Sequence, residues 1–391
     1  MKNKANLDQT VIYQIFVRNY SKEGTIRAVI NDLPRLQRLG VDILQLLPVH
    51  PIGLKGRKGE YGSPYATTNY REISPDLGAM EDLEELFATA HRLNMKVIMD
   101  MVFNHTARDA VYLTTHPEWY YRNEKGEFAN KVGDWSDVYD FDHEKAPESL
   151  SDFLIDDVLG FYVKKGCDGF RFDVGSLLPK SFWIKAREHL NKINDDLFFL
   201  CEAVDSCFVL WNRSQDIACL SNAELIDAGF DALYHYASFQ WLGEYLREKD
   251  PIKLEMYKAA FNVEAAQSGS SASIVRALEN HDQLRIASYG DIRLTKELLR
   301  FTFFTKGPAF VYAGEEYGLA HKPELFEKDP LDLTKGNEEI YQFVASLIQE
   351  KHQETDLRTS EILASLLGTL RVKNTYADHE TIRDFDLRFD K

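Results

Sequence analysis

The sequence has few cysteines and no long apolar run. Its 391 residues include four cysteines, and their spacing fits neither a disulfide framework nor a Cys-x-x-Cys metal site. We therefore expect reduced thiols in the core. No run of about 18 apolar residues is available to span a membrane, and the start MKNKANLDQTVIYQIF has no small-residue cleavage site. These absences predict a cytoplasmic protein.

Positive charge is also scarce. The 46 Lys and Arg residues face 62 Asp and Glu residues, which gives a net charge of −16. A protein with this balance stays soluble and is repelled by polyanions. Nucleic acid and anionic membrane surfaces are therefore poor candidates as partners, and the oligomeric state stays open.

The strongest pattern in the chain is the alternation of short β-rich apolar runs with amphipathic helices. Such units predict a parallel sheet, and eight of them favour a closed (β/α)8 TIM barrel, because no nucleotide-binding glycine fingerprint follows any strand. The fold class is therefore α/β. The predicted strands are 11–17, 41–49, 96–103, 169–174, 198–204, 231–236, 273–282 and 309–318.

Two segments do not fit the repeat. Residues 104–147 form a polar and aromatic excursion after strand three that is too long for an ordinary loop, so we expect an inserted, lid-like domain. The catalytic barrel then comprises 1–103 and 148–352, with its last helix at 337–352. Residues 353–391 have room only for a helix and two or three strands, which indicates a short, reduced or truncated C-terminal β region. The aromatic residues of the insert fit a small core and a sugar platform equally well: Trp119, Tyr120, Tyr121 and Trp135.

Charged residues gather where the predicted strands end. Asp100 stands near the end of strand three, Arg171 and Asp173 end strand four, Glu202 ends strand five, and Asp282 ends strand seven. In a barrel these ends share one rim, which is where such folds carry their active sites. Since burying so many ionisable groups is costly, three converging carboxylates indicate function rather than structure.

Paired carboxylates suit glycoside hydrolysis, in which one attacks the sugar and another exchanges a proton. Arg171 lies two residues before Asp173 and so on the same strand face, where its charge favours the ionised carboxylate. Asp173 is therefore the better candidate nucleophile, and Glu202 is the better candidate acid.

Four stretches resemble the signature motifs of the alpha-amylase family, glycoside hydrolase family 13. They are DMVFNH (100–105), GFRFD (169–173), FLCEAV (199–204, in FFLCEAV) and ENHD (279–282). The stretches VDILQLLPVHPIG, YGSPYATTNY, DVYDFD and VYAGEEYG are similar as well. The motifs follow the family's order from about residue 11 to residue 350. Each is weak alone, but the ordered set is specific.

The resemblance implies roles for single residues. Asp173 would be the nucleophile, Glu202 the general acid and base, and Asp282 the stabiliser of the transition state. The resemblance also implies retention of configuration, with the carboxyl groups of Asp173 and Glu202 roughly 5–5.5 Å apart. Five further residues would bind substrate or brace the site: Tyr65 as a stacking platform, Asp100, His105, Arg171 and His281.

The sequence departs from the family at several points. Asp173 is followed by ValGlySerLeuLeu where many amylases have a Lys-His pair, and Asn69 replaces an Asp. No cofactor is implied as a requirement. Asn104 and Asp140 resemble ligands of the family's structural calcium, but two residues fall short of the roughly six to eight oxygens that calcium takes.

These observations predict a glycosidase of carbohydrate metabolism, a retaining hydrolase of α-glucosidic bonds, α-1,4 above all, in maltodextrins or starch-derived oligosaccharides. A transglycosylase of the 4-alpha-glucanotransferase kind, or an alpha-glucosidase of another linkage specificity, would use the same residues. A silent binding subunit is a remote alternative, because such a protein should have lost part of the triad. A metal-dependent hydrolase would need more histidines at strand ends than His105 and His281.

Overall fold

Eight parallel strands form the centre of the protein. The computed structural model describes residues 7–133, 135–268 and 272–389. The strand order in the large sheet is β10-β1-β2-β3-β6-β7-β8-β9. The strands are β1 (Val11–Ile15), β2 (Ile43–Leu46), β3 (Lys96–Met101), β6 (Gly169–Phe172), β7 (Phe198–Cys201), β8 (Ala232–Tyr234), β9 (Ser273–Val275) and β10 (Ala309–Tyr312). All eight predicted strands are present in the predicted order.

The barrel closes at a short seam between β9 and β10. Within the described residues, the two strands share one isolated parallel bridge, between Arg276 and Ala309. Its hydrogen bonds run from Arg276 N to Pro308 O and from Phe310 N to Arg276 O, each 3.2 Å long. Every other neighbouring pair in the barrel has two to four residue pairs in register. The seam is therefore the least paired joint of the barrel.

Alternation along the strands divides the apolar residues between two cores. Ile12, Ile43 and Ile98 belong to the core inside the barrel. Phe170 and Phe172 belong instead to the larger core between the barrel and its surrounding helices. Because successive side chains of a strand point to opposite faces, Arg171 is directed into the barrel. Asp173, two residues further along, follows the same alternation.

The helices surround the barrel. They are α1 (Val17–Tyr20), α2 (Ile26–Leu39), α3 (Met80–Arg92), α4 (Tyr112–Thr115), α5 (Glu148–Asp152), α6 (Gly160–Lys164), α7 (Lys180–Leu190), α8 (Ser206–Ser214), α9 (Asn222–Asp227), α10 (Tyr236–Glu248), α11 (Pro251–Ser268), α12 (Ile292–Phe304) and α13 (Glu338–Gln353). A π-helical segment, Phe153–Leu159, joins α5 to α6. Within the described residues, none of the helices combines the length and the apolarity needed to cross a membrane.

Local signals end the helices before the strands begin. Thr25 caps α2 by accepting a hydrogen bond from Ala28 N, and Gly40 ends that helix with φ of 97°. Asn94 and Gly166 also have positive φ, as expected for residues that stop a helix in the left-handed conformation. These stops let the next strand start within a few residues.

The inserted segment has a small sheet and an aromatic core. Strands β4 (His105–Ala107) and β5 (Val138–Asp140) pair antiparallel. Trp119 and Tyr120 are buried, with Phe141 packed near both rings. Those two aromatic residues therefore form a small core, whereas Tyr121 and Trp135 remain partly accessible.

The C-terminal region is an antiparallel sheet of β11 (Thr359–Leu366), β12 (Thr369–Thr375) and β13 (Glu380–Asp386). It hydrogen-bonds to the chain just before β10: Lys306 N donates to Ser360 Oγ at 2.7 Å, and Asn374 Nδ2 donates to Phe304 O at 2.7 Å. From α13, Lys351 Nζ donates to Thr305 O at 2.8 Å. The segment beside the seam is thus held from outside the barrel. The exact domain limits stay a prediction.

Two expectations were wrong in part. The strand predicted at 273–282 ends at Val275, because the chain turns into a loop after the Arg276 bridge, so Asp282 is a loop residue. The four cysteines are free, but Cys207 is exposed at the start of α8 rather than in the core. Asp205 caps that helix, and its first two residues, Ser206 and Cys207, are exposed to solvent.

Candidate active site

One buried guanidinium group joins three carboxylates at the barrel mouth. Arg171 Nη1 donates to Asp100 Oδ1 at 2.8 Å and to Asp173 Oδ1 at 2.9 Å. Arg171 Nη2 lies 3.0 Å from Glu202 Oε2. The Arg171 side chain is fully buried, so its charge acts through a poorly screening medium. Four of the predicted site residues are therefore in direct contact.

The parallel strands produce this arrangement. Asp100 and Arg171 are register partners across β3 and β6, and both side chains face the barrel interior. Asp173 and Glu202 directly follow the last residues of β6 and β7, so each leaves its strand at the same rim. Strand ends that share a rim converge on one pocket, as the sequence predicted.

Val174, the residue after Asp173, has an unusual backbone. Its φ of 37° and ψ of 41° lie in the left-handed region, which costs a β-branched residue about 1–3 kcal/mol. In this conformation Val174 N donates a 2.8 Å hydrogen bond to Glu202 Oε2. The strained turn after Asp173 therefore fixes the position of the neighbouring carboxylate.

Asp173 and Glu202 both have raised pKa values, and the pKa of Glu202 is the higher of the two. Burial raises the pKa of Asp173 to about 6, although the charge of Arg171 acts in the opposite direction. Burial likewise raises the pKa of Glu202 to about 7, with Arg171 and the Val174 amide opposing it and Asp173 adding to the rise. Near neutral pH, Asp173 is mainly ionised while a large fraction of Glu202 keeps its proton. A nucleophile and an acid need these two states.

Asp282 belongs to a neighbouring group. Its side chain is 42% exposed, and Oδ2 lies 3.1 Å from His281 Nε2. Desolvation disfavours the charged form, but His281 and the more distant Arg171 and Lys322 prevail and lower the pKa of Asp282 to about 2. Asp282 is thus a carboxylate that is ionised near neutral pH, at the open side of the site.

Tyr65 connects the two groups. Its hydroxyl donates to Asp100 Oδ2 at 3.1 Å and lies 2.6 Å from His281 Nε2. The rings of Tyr65 and His281 are stacked, with centroids 5.4 Å apart. Tyr65 is only partly buried, so it remains available as the predicted sugar platform.

Sequence reasoning missed Gln14, which supports His281 from inside the barrel. Gln14 is fully buried on β1, and its Oε1 accepts from His281 N at 3.3 Å and lies 3.4 Å from His281 Nδ1. The signal in the sequence is a glutamine on the inward face of an otherwise apolar strand. Gln45 is likewise a glutamine in an apolar strand, β2, and its Nε2 donates a hydrogen bond to the Tyr234 hydroxyl.

His105 lies at the border between barrel and insert. It is buried, its ring centroid is 5.2 Å from that of Trp135, and its Nδ1 is 3.1 Å from Asn104 Nδ2. Burial lowers the pKa of His105, so the ring is neutral at pH 7. Its role as a substrate ligand stays a prediction.

Asn104 and Asp140 do not present a set of free oxygen ligands that fits calcium. Both oxygens of Asp140 accept hydrogen bonds from N–H groups, namely the Asn104 and Asn130 amides and the Lys131 backbone. The Lys131 ammonium lies 2.8 Å from Asp142 Oδ1, where it supplies positive charge of its own. Calcium needs several free oxygen ligands, so this donor set does not fit the ion. Within the described residues, no group of three or more His, Cys, Asp or Glu side chains is placed to hold a metal.

A small apolar cluster lies near the candidate catalytic carboxylates. Its buried residues are Val132, Leu177, Val209 and Cys219, and four partly buried residues pack against it: Val174 and Val204, close in sequence to Asp173 and Glu202, Phe208 of α8 and Trp135 of the insert. We call these four partly buried residues the apolar wall. It occupies the region where the sequence lacks the Lys-His pair of many amylases.

Comparison with known proteins gives matches along most of the chain. The family described as "Alpha amylase, catalytic domain" matches residues 5–153 and 114–363. The crystal structure of an alpha-amylase from Lactobacillus plantarum is 34% identical, covers 98% of this chain and 90% of its own, and superposes with a TM-score of 0.91.

Curated relatives are more distant and longer. Alpha-amylase 3 of Dictyoglomus thermophilum is 24% identical over 85% of this chain, and alpha-amylase MalA of Haloarcula japonica is 28% identical over 90%. The chain spans 69% of the first protein's length and 50% of the second's.

Proposed function

The chain belongs to the alpha-amylase family of glycosidases, and from this premise we propose that it is a retaining hydrolase of α-1,4-glucosidic bonds in maltodextrins. One observation carries the proposal: Asp173 and Glu202 contact the two terminal nitrogens of the same guanidinium but differ in acidity. Two carboxyl groups held by one guanidinium, one mainly ionised and the other partly protonated near neutral pH, suit a double displacement. The substrate class is taken from the names of the alpha-amylase relatives.

In the first step, ionised Asp173 attacks the anomeric carbon while Glu202 donates its proton to the departing glycosidic oxygen. The bond from sugar to leaving oxygen breaks as the bond from sugar to Asp173 forms. In the second step, Glu202 takes a proton from water, whose oxygen replaces Asp173 on the same carbon. Both steps pass through a positively charged sugar, which ionised Asp282 stabilises.

The surrounding residues support this cycle. Arg171 holds Asp173 and Glu202 in place, and its charge opposes the rise in pKa that burial causes in both carboxyl groups. Tyr65 offers its ring to the apolar face of the reacting sugar, and His281 and His105 bind its hydroxyl groups. Every proton and bond in the cycle is accounted for by these side chains, the sugar and water.

The apolar wall favours a second candidate, transfer to a sugar. Trp135 and Phe208 are only partly buried and pack against the same apolar cluster as Val174, the residue after Asp173, so an acceptor sugar could stack on their rings. Such an acceptor would intercept the covalent intermediate instead of water. Hydrolysis and transfer use the same catalytic residues, so the products distinguish them.

The test is incubation with maltoheptaose, maltotriose, isomaltose, sucrose and nitrophenyl α-glucoside, with product lengths followed over time. For a retaining hydrolase of α-1,4 bonds, maltoheptaose is shortened and proton NMR detects the α-anomer first. Products longer than the substrate would indicate the transferase. Failure of every α-glucoside would refute the substrate class, and an initial β-anomer would refute retention.

Variants assign the roles. Asp173→Asn should lower activity on the best substrate to below a few per cent, because the amide cannot form the covalent intermediate. Asp378→Asn is a matched control, since that side chain is exposed in a turn of the C-terminal sheet. Substantial activity in Asp173→Asn would refute the mechanism.

A further inference from the structure

A second cavity lies behind the loop that carries Tyr65, outside the catalytic carboxylates. It has a volume of about 400 Å³, within the range of small-molecule sites. Its walls come from the loops after β1, β2 and β10, and its polar lining includes Arg18, His50, Arg57, Asp76 and Lys328. The catalytic mechanism uses none of these residues.

Three cations border this cavity without a carboxylate partner. Among the described residues, no Asp or Glu oxygen lies within 4 Å of Arg18, Arg57 or Lys328. Their contacts are neutral: Arg18 bonds the carbonyls of Gly62 and Leu325, and Lys328 bonds that of Glu23. Arg57 likewise bonds only carbonyls, those of Ile52, Gly53 and Glu60. Each guanidinium carries more N–H donors than these carbonyls occupy.

This arrangement is unusual within the protein. The buried arginines Arg171, Arg276 and Arg285 each contact a carboxylate. Arg18 is also buried, and both its burial and the nearby charge of Arg57 lower the pKa of Arg18 to about 10. Asp76 and Glu327 lie close enough to reduce this repulsion without pairing with Arg18. In a chain with a net charge of −16, three cations without an ion-pair contact around a cavity with one lining carboxylate, Asp76, require an explanation.

We propose that this cavity binds a small oxyanion, either free phosphate or the phosphate group of a phosphorylated sugar. Arg18, Arg57 and Lys328 would supply the charge and the N–H donors, and arginine geometry suits phosphate oxygens. His50 adds a polar group: it is buried, its Nδ1 lies 3.1 Å from Glu72 O, and its Nε2 has no hydrogen-bond partner. A neutral Nε2 accepts a hydrogen bond, as a sugar hydroxyl or a singly protonated phosphate could provide.

Binding at this site would connect three loops of the barrel mouth. Arg18 already contacts the backbone of residues 61 and 62, three to four residues before Tyr65. Lys328 lies in the loop after β10. An anion that bridges Arg18, Arg57 and Lys328 would therefore fix these loops relative to each other. The proposal does not depend on the hydrolytic function.

The test is calorimetric titration of the full chain at constant ionic strength, with inorganic phosphate and glucose 1-phosphate in separate experiments. We expect saturable binding at one site. Arg57→Gln and Lys328→Gln should each weaken binding about tenfold or more, because each removes a charged hydrogen-bond donor. Lys328 is exposed, so its variant remains informative even if Arg57→Gln fails to fold. Tighter binding of glucose 1-phosphate would identify a phosphorylated sugar, and equal affinity would identify free phosphate.

Lys55→Gln is the matched control, because Lys55 is an exposed cation two residues from Arg57 and does not line the cavity. Its affinity should equal that of the wild type. Asp173→Asn should also bind phosphate normally, and saturating maltotriose should not displace it, which separates this site from the catalytic centre. Lack of saturable binding in the wild type, equal losses in all three cation variants, or displacement by maltotriose would overturn the proposal.

Discussion

Replacing the candidate nucleophile should stabilise the protein. In the folded chain, burial raises the pKa of Asp173 from its ordinary value near 3.8 to about 6. A raised carboxyl pKa means that ionisation opposes folding: the penalty is absent below pH 3.8, grows between pH 3.8 and 6, and is complete above that range. Asp173→Asn removes the ionisable group and hence the penalty.

The magnitude follows from the shift. Roughly two pKa units at 1.36 kcal/mol each give about 3 kcal/mol at pH 8, and about half of that remains at pH 5. An unfolding entropy of about 2 cal/mol/K per residue gives roughly 0.8 kcal/mol/K for 391 residues, so Tm should rise by about 4 °C at pH 8. The amide oxygen of the Asp173→Asn variant can still accept a hydrogen bond from Arg171, which also keeps Asp100 as a partner.

The assay is differential scanning calorimetry of wild type and Asp173→Asn between pH 5 and 8. Asp282→Asn is the isosteric control, because the pKa of Asp282 is lowered and its ionised form favours folding. That variant should lose stability, while both variants lose activity. A Tm gain in Asp173→Asn that does not grow with pH, or an equal gain in Asp282→Asn, would refute the electrostatic reasoning.

Three further predictions concern the same region. The kcat/KM profile should rise through pH 6 as Asp173 ionises and fall above pH 7 as Glu202 loses its proton; a plateau beyond pH 8 would contradict these assignments. EDTA should leave the Tm of the wild type unchanged, and a Tm that EDTA lowers and calcium restores would show that the protein binds calcium. Lys131→Met should lower Tm by a few degrees, because buried Asp142 loses its partner. Gln14→Leu should reduce kcat about tenfold with little change in Tm, by freeing the His281 ring; an unchanged kcat would remove Gln14 from the site.

The barrel could be predicted because its signals are local and repeated. Each strand is a short apolar run, several of the preceding helices end at a residue such as Gly40 or Asn94, and repetition then fixes the sheet as parallel. The convergence of Asp173 and Glu202 follows from the same pattern, because both directly follow strands. The loop position of Asp282 could not be predicted from this pattern, because the residue lies seven residues beyond the end of β9.

Other parts of the site depend on contacts between residues distant in sequence. The pairing of Gln14 with His281 spans most of the chain, so a glutamine in an apolar strand gave no indication of its partner. The hydrogen bonds that the Asp140 carboxylate accepts also depend on how residues 130–132 fold back towards it. The family motif alone therefore suggested a calcium ligand at a carboxylate whose two oxygens are occupied by N–H groups in the folded insert.

The seam between β9 and β10 has a consequence for how fast activity is lost on heating. A barrel opens first where it has the fewest hydrogen bonds, and here that joint is the single Arg276–Ala309 bridge. The C-terminal sheet holds the chain beside it through Ser360 and Asn374, so this sheet contributes to the kinetic stability of a catalytic centre with which its described residues share no hydrogen bond. A proteolytic cut in the exposed turn at Leu367 would thus shorten the half-life of the enzyme at high temperature while its turnover at low temperature stays the same.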